Sequence, residues 1–203
     1  MTPATAAIGC IVLAAGASAR FGADKRLAPF GANTLLTQTL HNIAPAFSQR
    51  VLVLRAGDTT LAALYAADWQ VVFAAEAHKG MGHSLAAALR FTTGWTGAVI
   101  ALGDMPLVQT ATYGVVRAQL SPDNLVAPYY HGQRGNPVGI GSRYFAELSG
   151  LQGDRGARAL LEQHQAQIVR VAVDDSGILR DIDTREALAE AEKSAQGSGI
   201  SNA

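Results

Sequence analysis

The sequence contains a single cysteine, Cys10, among its 203 residues. One cysteine cannot form an internal disulfide or a metal site built of cysteines alone. Aromatic residues are also scarce, at 6%, and no stretch approaches the roughly 18 consecutive apolar residues of a membrane span. The first residues, MTPATAAIG, lack the charged and apolar regions of a signal peptide. We therefore expect a cytoplasmic protein that does not bind membranes.

The sequence has no excess of either charge, because Lys and Arg total 16 and Asp and Glu total 16. This balance gives no argument for a surface that binds nucleic acid or an anionic membrane, and neither partner is expected. Two common phosphate-binding patterns are also missing, since no loop ends in Gly-Lys-Ser/Thr and none reads G-x-G-x-x-G. The chain is therefore not expected to be a P-loop NTPase or a dinucleotide-dependent oxidoreductase.

The patterns that are present alternate between strands and helices. Apolar runs predict strands at 11–13, 50–55, 70–74, 96–102, 124–128, 137–140 and 168–173. Helical spacing and caps predict helices after Thr34, at 58–67, 85–89, 110–120, 142–148 and 155–164, and from the residue after Thr184 to about 193. This alternation predicts a three-layer α/β/α fold around a mostly parallel, Rossmann-like sheet, in one domain over 1–193 with a disordered tail over 194–203. Ligands of such sheets bind at the carboxyl ends of the strands.

A loop of small residues follows the first predicted strand and carries three cations. Small side chains let the backbone approach a ligand, and successive N–H groups can point at one anion. The cations are Arg20, Lys25 and Arg26. The pattern favours a polyphosphate site, and an ordinary turn with surface cations is the alternative.

Asp104 stands directly after the apolar run of another predicted strand. A carboxylate at a buried strand end loses hydration unless it gains a partner. Mg²⁺ is such a partner, because it is commonly held by one or two carboxylates together with substrate phosphates. An aspartate that caps a turn or helix is the alternative.

The loop resembles the nucleotidyltransferase signature L-A-A-G-x-S-x-R-x-G-x-x-K. The matching positions are Leu13, Ala14, Ala15, Gly16, Ser18, Arg20, Gly22 and Lys25. The resemblance is to the MobA-like NTP transferase family, and it implies that this loop wraps the triphosphate of an NTP while Arg20 and Lys25 act on phosphates. Gly103-Asp104-Met105-Pro106 resembles the metal-binding G-D-x-P of that family, which implies Mg²⁺, or Mn²⁺, on Asp104.

Within the family, the subgroup that resembles this chain best is the molybdenum cofactor cytidylyltransferases. Their G-M-x-x-S-L is matched by Gly80, Met81, Ser84 and Leu85, which implies nucleotide contacts from the turn Gly80, Met81, Gly82 and Ser84. Ala15 stands where guanylyltransferase relatives commonly have glycine. Both features favour CTP over GTP, and a simple helix cap at Ser84 is the alternative.

Three later motifs resemble the acceptor and metal sites of the same group. Asn136 lies in a G-N-P-V motif, and Arg155 and Arg158 lie in a G-D-x-G-A-R motif; all three are assigned by resemblance to the second substrate. Asp183, with Asp181 as the fallback, matches a second metal ligand. The alternatives are plain turn chemistry at Asn136, capping of the helix near Gly156 by Asp154, and capping of the last helix by Asp183 or Thr184.

Together these features predict transfer of CMP from CTP to a phosphate-bearing acceptor, molybdopterin or the molybdenum cofactor, with release of pyrophosphate. A molybdoenzyme or its chaperone is the implied protein partner. The alternatives are a guanylyltransferase or sugar-phosphate nucleotidyltransferase of the same fold, and a nucleotide-binding regulator without turnover.

Overall fold

The computed structural model describes residues 7–150, 153 and 156–197. Its strands are β1 (Ala7–Leu13), β2 (Pro29–Phe30), β3 (Asn33–Thr34), β4 (Arg50–Arg55), β5 (Gln70–Ala74), β6 (Trp95–Leu102), β7 (Leu125–Tyr130), β8 (Gln133–Arg134), β9 (Val138–Gly141) and β10 (Ile168–Ala172). Its α-helices are α1 (Leu35–Ile43), α2 (Thr59–Tyr65), α3 (Met81–Leu89), α4 (Thr110–Gln119), α5 (Phe145–Ser149), α6 (Gly156–Gln163) and α7 (Arg185–Gly197).

Eight strands form one mixed, mostly parallel sheet in the order β10-β7-β9-β6-β1-β4-β5, with β8 paired to β7. Strand β1 lies inside the sheet and pairs in parallel with both β4 and β6. Strand β9 runs antiparallel to its neighbours β6 and β7. The loop after β1 and the turn after β6 therefore leave the same edge of the sheet on adjacent strands.

Side chains alternate between the two faces of β1 and thereby seed two apolar cores. Cys10 and Val12 pack in the core that includes residues of α1 and α4. Ile11 and Leu13 pack in the core that includes residues of α3, α5 and α6. Successive strand residues point to opposite faces, so a strand buried on both sides must be apolar throughout. The result is the expected three-layer arrangement.

Most predicted elements are found, and the differences are local. The 50–55 and 70–74 strands have the expected bounds. Helix α3 begins at Met81, four residues before the predicted start, because Gly80 ends the preceding turn with a backbone conformation that suits glycine. The stretch after Lys25, for which the sequence predicts no strand, contains the small β2–β3 hairpin.

Helix α7 continues to Gly197, beyond the predicted end near residue 193. The predicted tail from residue 194 is therefore helical as far as the described residues reach, and 198–203 lie outside them. Among the described residues, none of the helices is both long enough and apolar enough to cross a bilayer.

Candidate active site

A cavity of about 490 Å³ opens where β1 and β6 end. This volume is typical of a site for a small molecule. Its lining includes residues from both strand ends, from the turn before α3 and from the segment before α7. They are Leu13, Ala14, Ala15, Gly16, Ala17, Ser18, Ala19, Arg20, Lys25, Arg26, Ala77, His78, Gly80, Met81, Ser84, Leu102, Gly103, Asp104, Asp181 and Asp183.

The loop after β1 presents backbone N–H groups to this cavity. Within the described ranges, the N–H groups of Ala15, Gly16 and Ala17 donate no hydrogen bond, whereas the N–H of Ala14 donates to Val53 O at 2.9 Å. Ser18 has a positive φ of 55°, which turns the chain back toward Lys25. Unpaired N–H groups in a tight turn form a concave site for anions. The loop can therefore accept phosphate oxygens, as its sequence predicts.

The ends of β1 and β6 are held together closely. The N–H of Gly103 donates to Leu13 O at 3.0 Å. A side chain at Gly103 would place its Cβ 2.9 Å from the Cβ of Ala14, which is closer than carbon atoms tolerate. Glycine is therefore needed at this position to bring Asp104 beside the loop.

Arg26 anchors the loop and does not present a free cation to the cavity. Its guanidinium donates to Ala14 O at 2.8 Å, to Asp58 Oδ2 at 2.5 Å and to Asp24 Oδ2 at 2.6 Å. The residue is only 2% exposed. Arg55 donates to the same two carboxylates. The sequence prediction placed Arg26 among the phosphate-binding cations, and the structure corrects this because all of its donor directions are occupied by the protein.

Lys25 lies between the two aspartates that were predicted to bind metal. Its Nζ donates to Asp104 Oδ2 at 2.6 Å and to Asp183 Oδ1 at 2.6 Å. Arg20, which is largely exposed, pairs with the other oxygen of Asp183. The three residues predicted to carry catalysis, Arg20, Lys25 and Asp104, are thus gathered at one place, with Asp183 between them.

Burial and charge act in opposite directions on these groups. Burial raises the pKa of Asp104 above its ordinary value, although the Lys25 ammonium opposes the rise. Burial lowers the pKa of Lys25, but attraction to Asp104 and the hydrogen bonds to both carboxylates outweigh it, so the net shift is upward. Burial raises the pKa of Asp183, but the hydrogen bond and attraction to Lys25, together with the attraction to Arg20, outweigh it, so the net shift is downward. A charged Lys25 is therefore well stabilised where it lies.

One oxygen of Asp104 remains without a partner. Its Oδ1 is buried and forms no hydrogen bond within the part of the chain that the structure describes. A buried carboxylate oxygen without a partner is costly in free energy. A divalent cation would satisfy it, and one or two carboxylates suffice when phosphates complete the coordination. Asp104 and Asp183 therefore suit a metal that binds together with a nucleotide.

Thr184, and not Asp183, caps helix α7. The Thr184 hydroxyl accepts a hydrogen bond from the N–H of Ala187 at 3.2 Å, so Thr184 caps α7. The N–H of Ile182 donates to Asp104 O at 2.9 Å, which ties this segment to the end of β6. Asp183 is consequently free of the capping role and faces Lys25, while Asp181, the fallback, also lines the cavity.

The turn before α3 forms the opposite wall of the cavity. Gly80, with φ 116°, is the N-cap residue of α3, and Met81 and Ser84 line the cavity from its first turn. Ser84 lies inside the helix, so the alternative of a simple cap at Ser84 is wrong. Gly82 does not line the cavity; its N–H donates to Gly153 O at 3.0 Å. His78 lines the cavity and had not been predicted there, because it lies outside the matched motif.

Two of the predicted acceptor residues, Asn136 and Arg158, do not line this cavity. The N–H of Asn136 donates to Ile178 O at 2.9 Å, and Asn136 is not part of the cavity lining. Arg158 is exposed and pairs with Glu162 one turn along α6, at 2.9 Å. Arg155 lies outside the described residues. Their assignment to the second substrate stays a prediction.

Comparison with known proteins agrees with this geometry. The sequence profile of the MobA-like NTP transferase domain matches residues 10–168. The chain belongs to the MobA-like NTP transferase family. It is 31% identical over 188 residues to the purine catabolism protein PucB of Bacillus subtilis (strain 168), an alignment that covers 87% of this chain and 91% of PucB.

Solved structures show the same fold. Rv0371c from Mycobacterium tuberculosis H37Rv matches with a TM-score of 0.84 and 29% identity, over 94% of this chain and 99% of that one. A complex of Rv0371c with manganese matches with a TM-score of 0.80, over 93% and 99%. Molybdopterin-guanine dinucleotide biosynthesis protein A from Archaeoglobus fulgidus matches with a TM-score of 0.66 over 93% and 99%, and its 19% identity supports the fold alone.

Proposed function

We propose that this protein transfers CMP from CTP to a phosphate-bearing acceptor, with molybdopterin or the molybdenum cofactor as the acceptor. The observation that carries the proposal is the meeting of Lys25, Asp104 and Asp183 beside a loop whose N–H groups are unpaired within the described residues. This arrangement suits a triphosphate bound together with a divalent metal.

In the proposed reaction, an acceptor phosphate oxygen bonds to the α-phosphorus of CTP. The bond from the α-phosphorus to the α–β bridging oxygen breaks, and pyrophosphate leaves with that electron pair. A phosphate nucleophile is already ionised at neutral pH and needs no general base. The protein then has to position the reactants and stabilise charge, which N–H groups of the loop, Arg20 and Lys25 can do.

Asp104 and Asp183 would hold the metal, which we propose to be Mg²⁺ or Mn²⁺. A divalent ion at phosphates neutralises charge that develops on the phosphoryl oxygens. The manganese complex of Rv0371c supports divalent-metal use by a relative with 29% identity. The buried Oδ1 of Asp104, unpartnered among the described residues, supports it from this chain.

The preference for CTP rests on the cavity wall and on the resemblance to cytidylyltransferases. Ala15 and Met81 both line the cavity, and Ala15 also packs into the core on the α3 side of the sheet. Because its methyl group is fixed by that packing, it narrows the space available to a purine. In a rigid pocket one methyl group is worth about 1–3 kcal/mol of discrimination.

Competition binding of CTP against GTP in the presence of Mg²⁺ tests the nucleotide assignment. We expect CTP to bind more tightly and Ala15→Gly to reduce the difference. Ala32→Gly is the matched control, because it removes a methyl group from an exposed position outside the cavity lining. Equal or tighter binding of GTP by the wild type would contradict the cytidylyl assignment and favour the guanylyltransferase alternative. Turnover with molybdopterin then separates a transferase from a nucleotide-binding regulator.

A further inference from the structure

The Lys25 ammonium lies between Asp104 and Asp183, the two aspartates to which the proposed function assigns the metal. It forms hydrogen bonds of 2.6 Å to one oxygen of Asp104 and one oxygen of Asp183. The Lys25 side chain is 11% exposed, so little water competes for these bonds. The sequence resemblance assigns Lys25 to phosphate and the two aspartates to metal, and it does not predict that they bind each other.

We propose that the Lys25 ammonium and the divalent cation compete for Asp104 and Asp183. The proposal rests on the metal site named under the proposed function. An ammonium has three donors and no acceptor, so it satisfies carboxylates in the same way as a small cation does. A metal would need the Asp104 and Asp183 oxygens that accept hydrogen bonds from Lys25 Nζ. A metal on the other oxygens of these carboxylates would still need their negative charge, which Lys25 partly neutralises.

Competition gives Lys25 two successive partners. Without metal, the two carboxylates bind the Lys25 ammonium. The ammonium in turn reduces the repulsion between the two negative charges. When a metal takes the carboxylates, Lys25 is repelled by the like charge and becomes available to phosphates at the adjacent loop. Lys25 is thereby a positioning residue for the metal-free site as well as a phosphate contact.

Metal affinity measured without nucleotide tests this proposal. We expect Lys25→Met to bind Mn²⁺ about tenfold or more tightly than the wild type, within the ~5–150-fold range of common coupling between two ligands. Free Mn²⁺ can be counted by electron paramagnetic resonance during the titration. Lys79→Met is the matched control, because Lys79 is exposed and pairs with Glu76 outside the cavity lining; its Mn²⁺ affinity should equal that of the wild type.

Thermal unfolding supplies a second readout that does not depend on turnover. In chelator, Lys25→Met should unfold at a lower temperature than the wild type, because Asp104 is left without its cation and Asp183 keeps only the exposed Arg20. Addition of Mn²⁺ should raise its unfolding temperature by more than it raises that of the wild type. Lys25→Gln, which keeps a donor toward Asp104, replaces Lys25→Met if the latter does not fold.

Three outcomes would overturn the proposal. They are equal Mn²⁺ affinity in Lys25→Met and wild type, weaker affinity in the variant, and no Mn²⁺ binding by either protein. No nucleotide or acceptor enters these experiments. A failure of the CTP preference or of molybdopterin turnover would therefore leave the competition result unchanged.

Discussion

At the scale of single residues, the aspartates Asp175 and Asp104 have opposite surroundings. Asp175 accepts hydrogen bonds from the N–H of Gln109 at 2.9 Å, from the hydroxyl of Thr112 at 2.6 Å and from the N–H of Gly177 at 3.0 Å. Asp104 keeps one buried oxygen without a partner among the described residues. A carboxylate whose oxygens accept hydrogen bonds from neutral donors stabilises the fold. A carboxylate that has an oxygen without a hydrogen bond beside a cavity is suited to binding a ligand.

The first prediction compares Asp104→Asn with Asp175→Asn. Burial raises the pKa of Asp104, so its ionised form at neutral pH lowers the stability of the folded state, and neutral asparagine removes that cost. Asp183 remains to pair with Lys25. We expect Asp104→Asn to lose about 10²–10³ or more in turnover without a lower unfolding temperature.

Asp175→Asn should show the converse behaviour. An amide can keep only part of the three hydrogen bonds, so we expect a loss of about 1–3 kcal/mol in stability with turnover retained. Turnover assays beside thermal unfolding measure both variants. An Asp104→Asn protein that is active and destabilised would show that Asp104 is a structural carboxylate.

At the scale of elements, the loop after β1 depends on contacts from other parts of the chain. Arg26, in the short 3₁₀ helix Lys25–Leu27, reaches back to Ala14 O and sideways to Asp58 just before α2. Asp24, the N-cap residue of that 3₁₀ helix, accepts a hydrogen bond from the N–H of Arg26 and another from the guanidinium of Arg55 at the end of β4. The loop after β1 is therefore held by a network of ion pairs around the buried Arg26.

The second prediction concerns the stability that this network supplies. Removing one partner of a buried ion pair typically costs about 3–5 kcal/mol, so Arg26→Met should lose stability in that range. Arg158→Met is the control, because an exposed pair such as Arg158–Glu162 contributes about 0–1 kcal/mol. Urea unfolding at neutral pH measures both. If Arg26→Met loses no more than the control, the network does not hold the loop.

At the scale of the whole molecule, the site joins three parts of the chain that are far apart in sequence. The loop after β1, the turn after β6 and the segment before α7 meet through Lys25, Asp104 and Asp183. A ligand that binds this junction binds only the folded chain. Metal binding should therefore stabilise the protein as a whole, and not only the loop.

The third prediction follows from that linkage. At Mn²⁺ concentrations of about 100 times the dissociation constant, the folded state should gain about 2.7 kcal/mol, seen as a higher unfolding temperature. Asp183→Asn should lose much of this gain, and Asp181→Asn should keep it, because only Asp183 bonds to Lys25 among the two. The reverse result would make Asp181 the second ligand.

The sequence by itself determined the layered fold and the central part of the site. Apolar runs are a local signal in the sequence, and they located the strands 50–55 and 70–74 correctly. The signature from Leu13 to Lys25 and the Gly103–Asp104 pair lie at adjacent strand ends, so any parallel β1–β6 pairing brings them together. Those inferences need only local pattern and the order of the strands.

Only the tertiary structure decided which partner each charged group has. Arg26 and Lys25 are neighbours in sequence, yet one is enclosed by Asp24 and Asp58 and the other lies between Asp104 and Asp183. Asp183 reaches Lys25 because the N–H of Ile182 bonds to Asp104 O, a contact between residues 78 positions apart. An ion pair depends on distances of a few ångströms, and such distances between remote segments are set by packing, which no local pattern in the sequence contains.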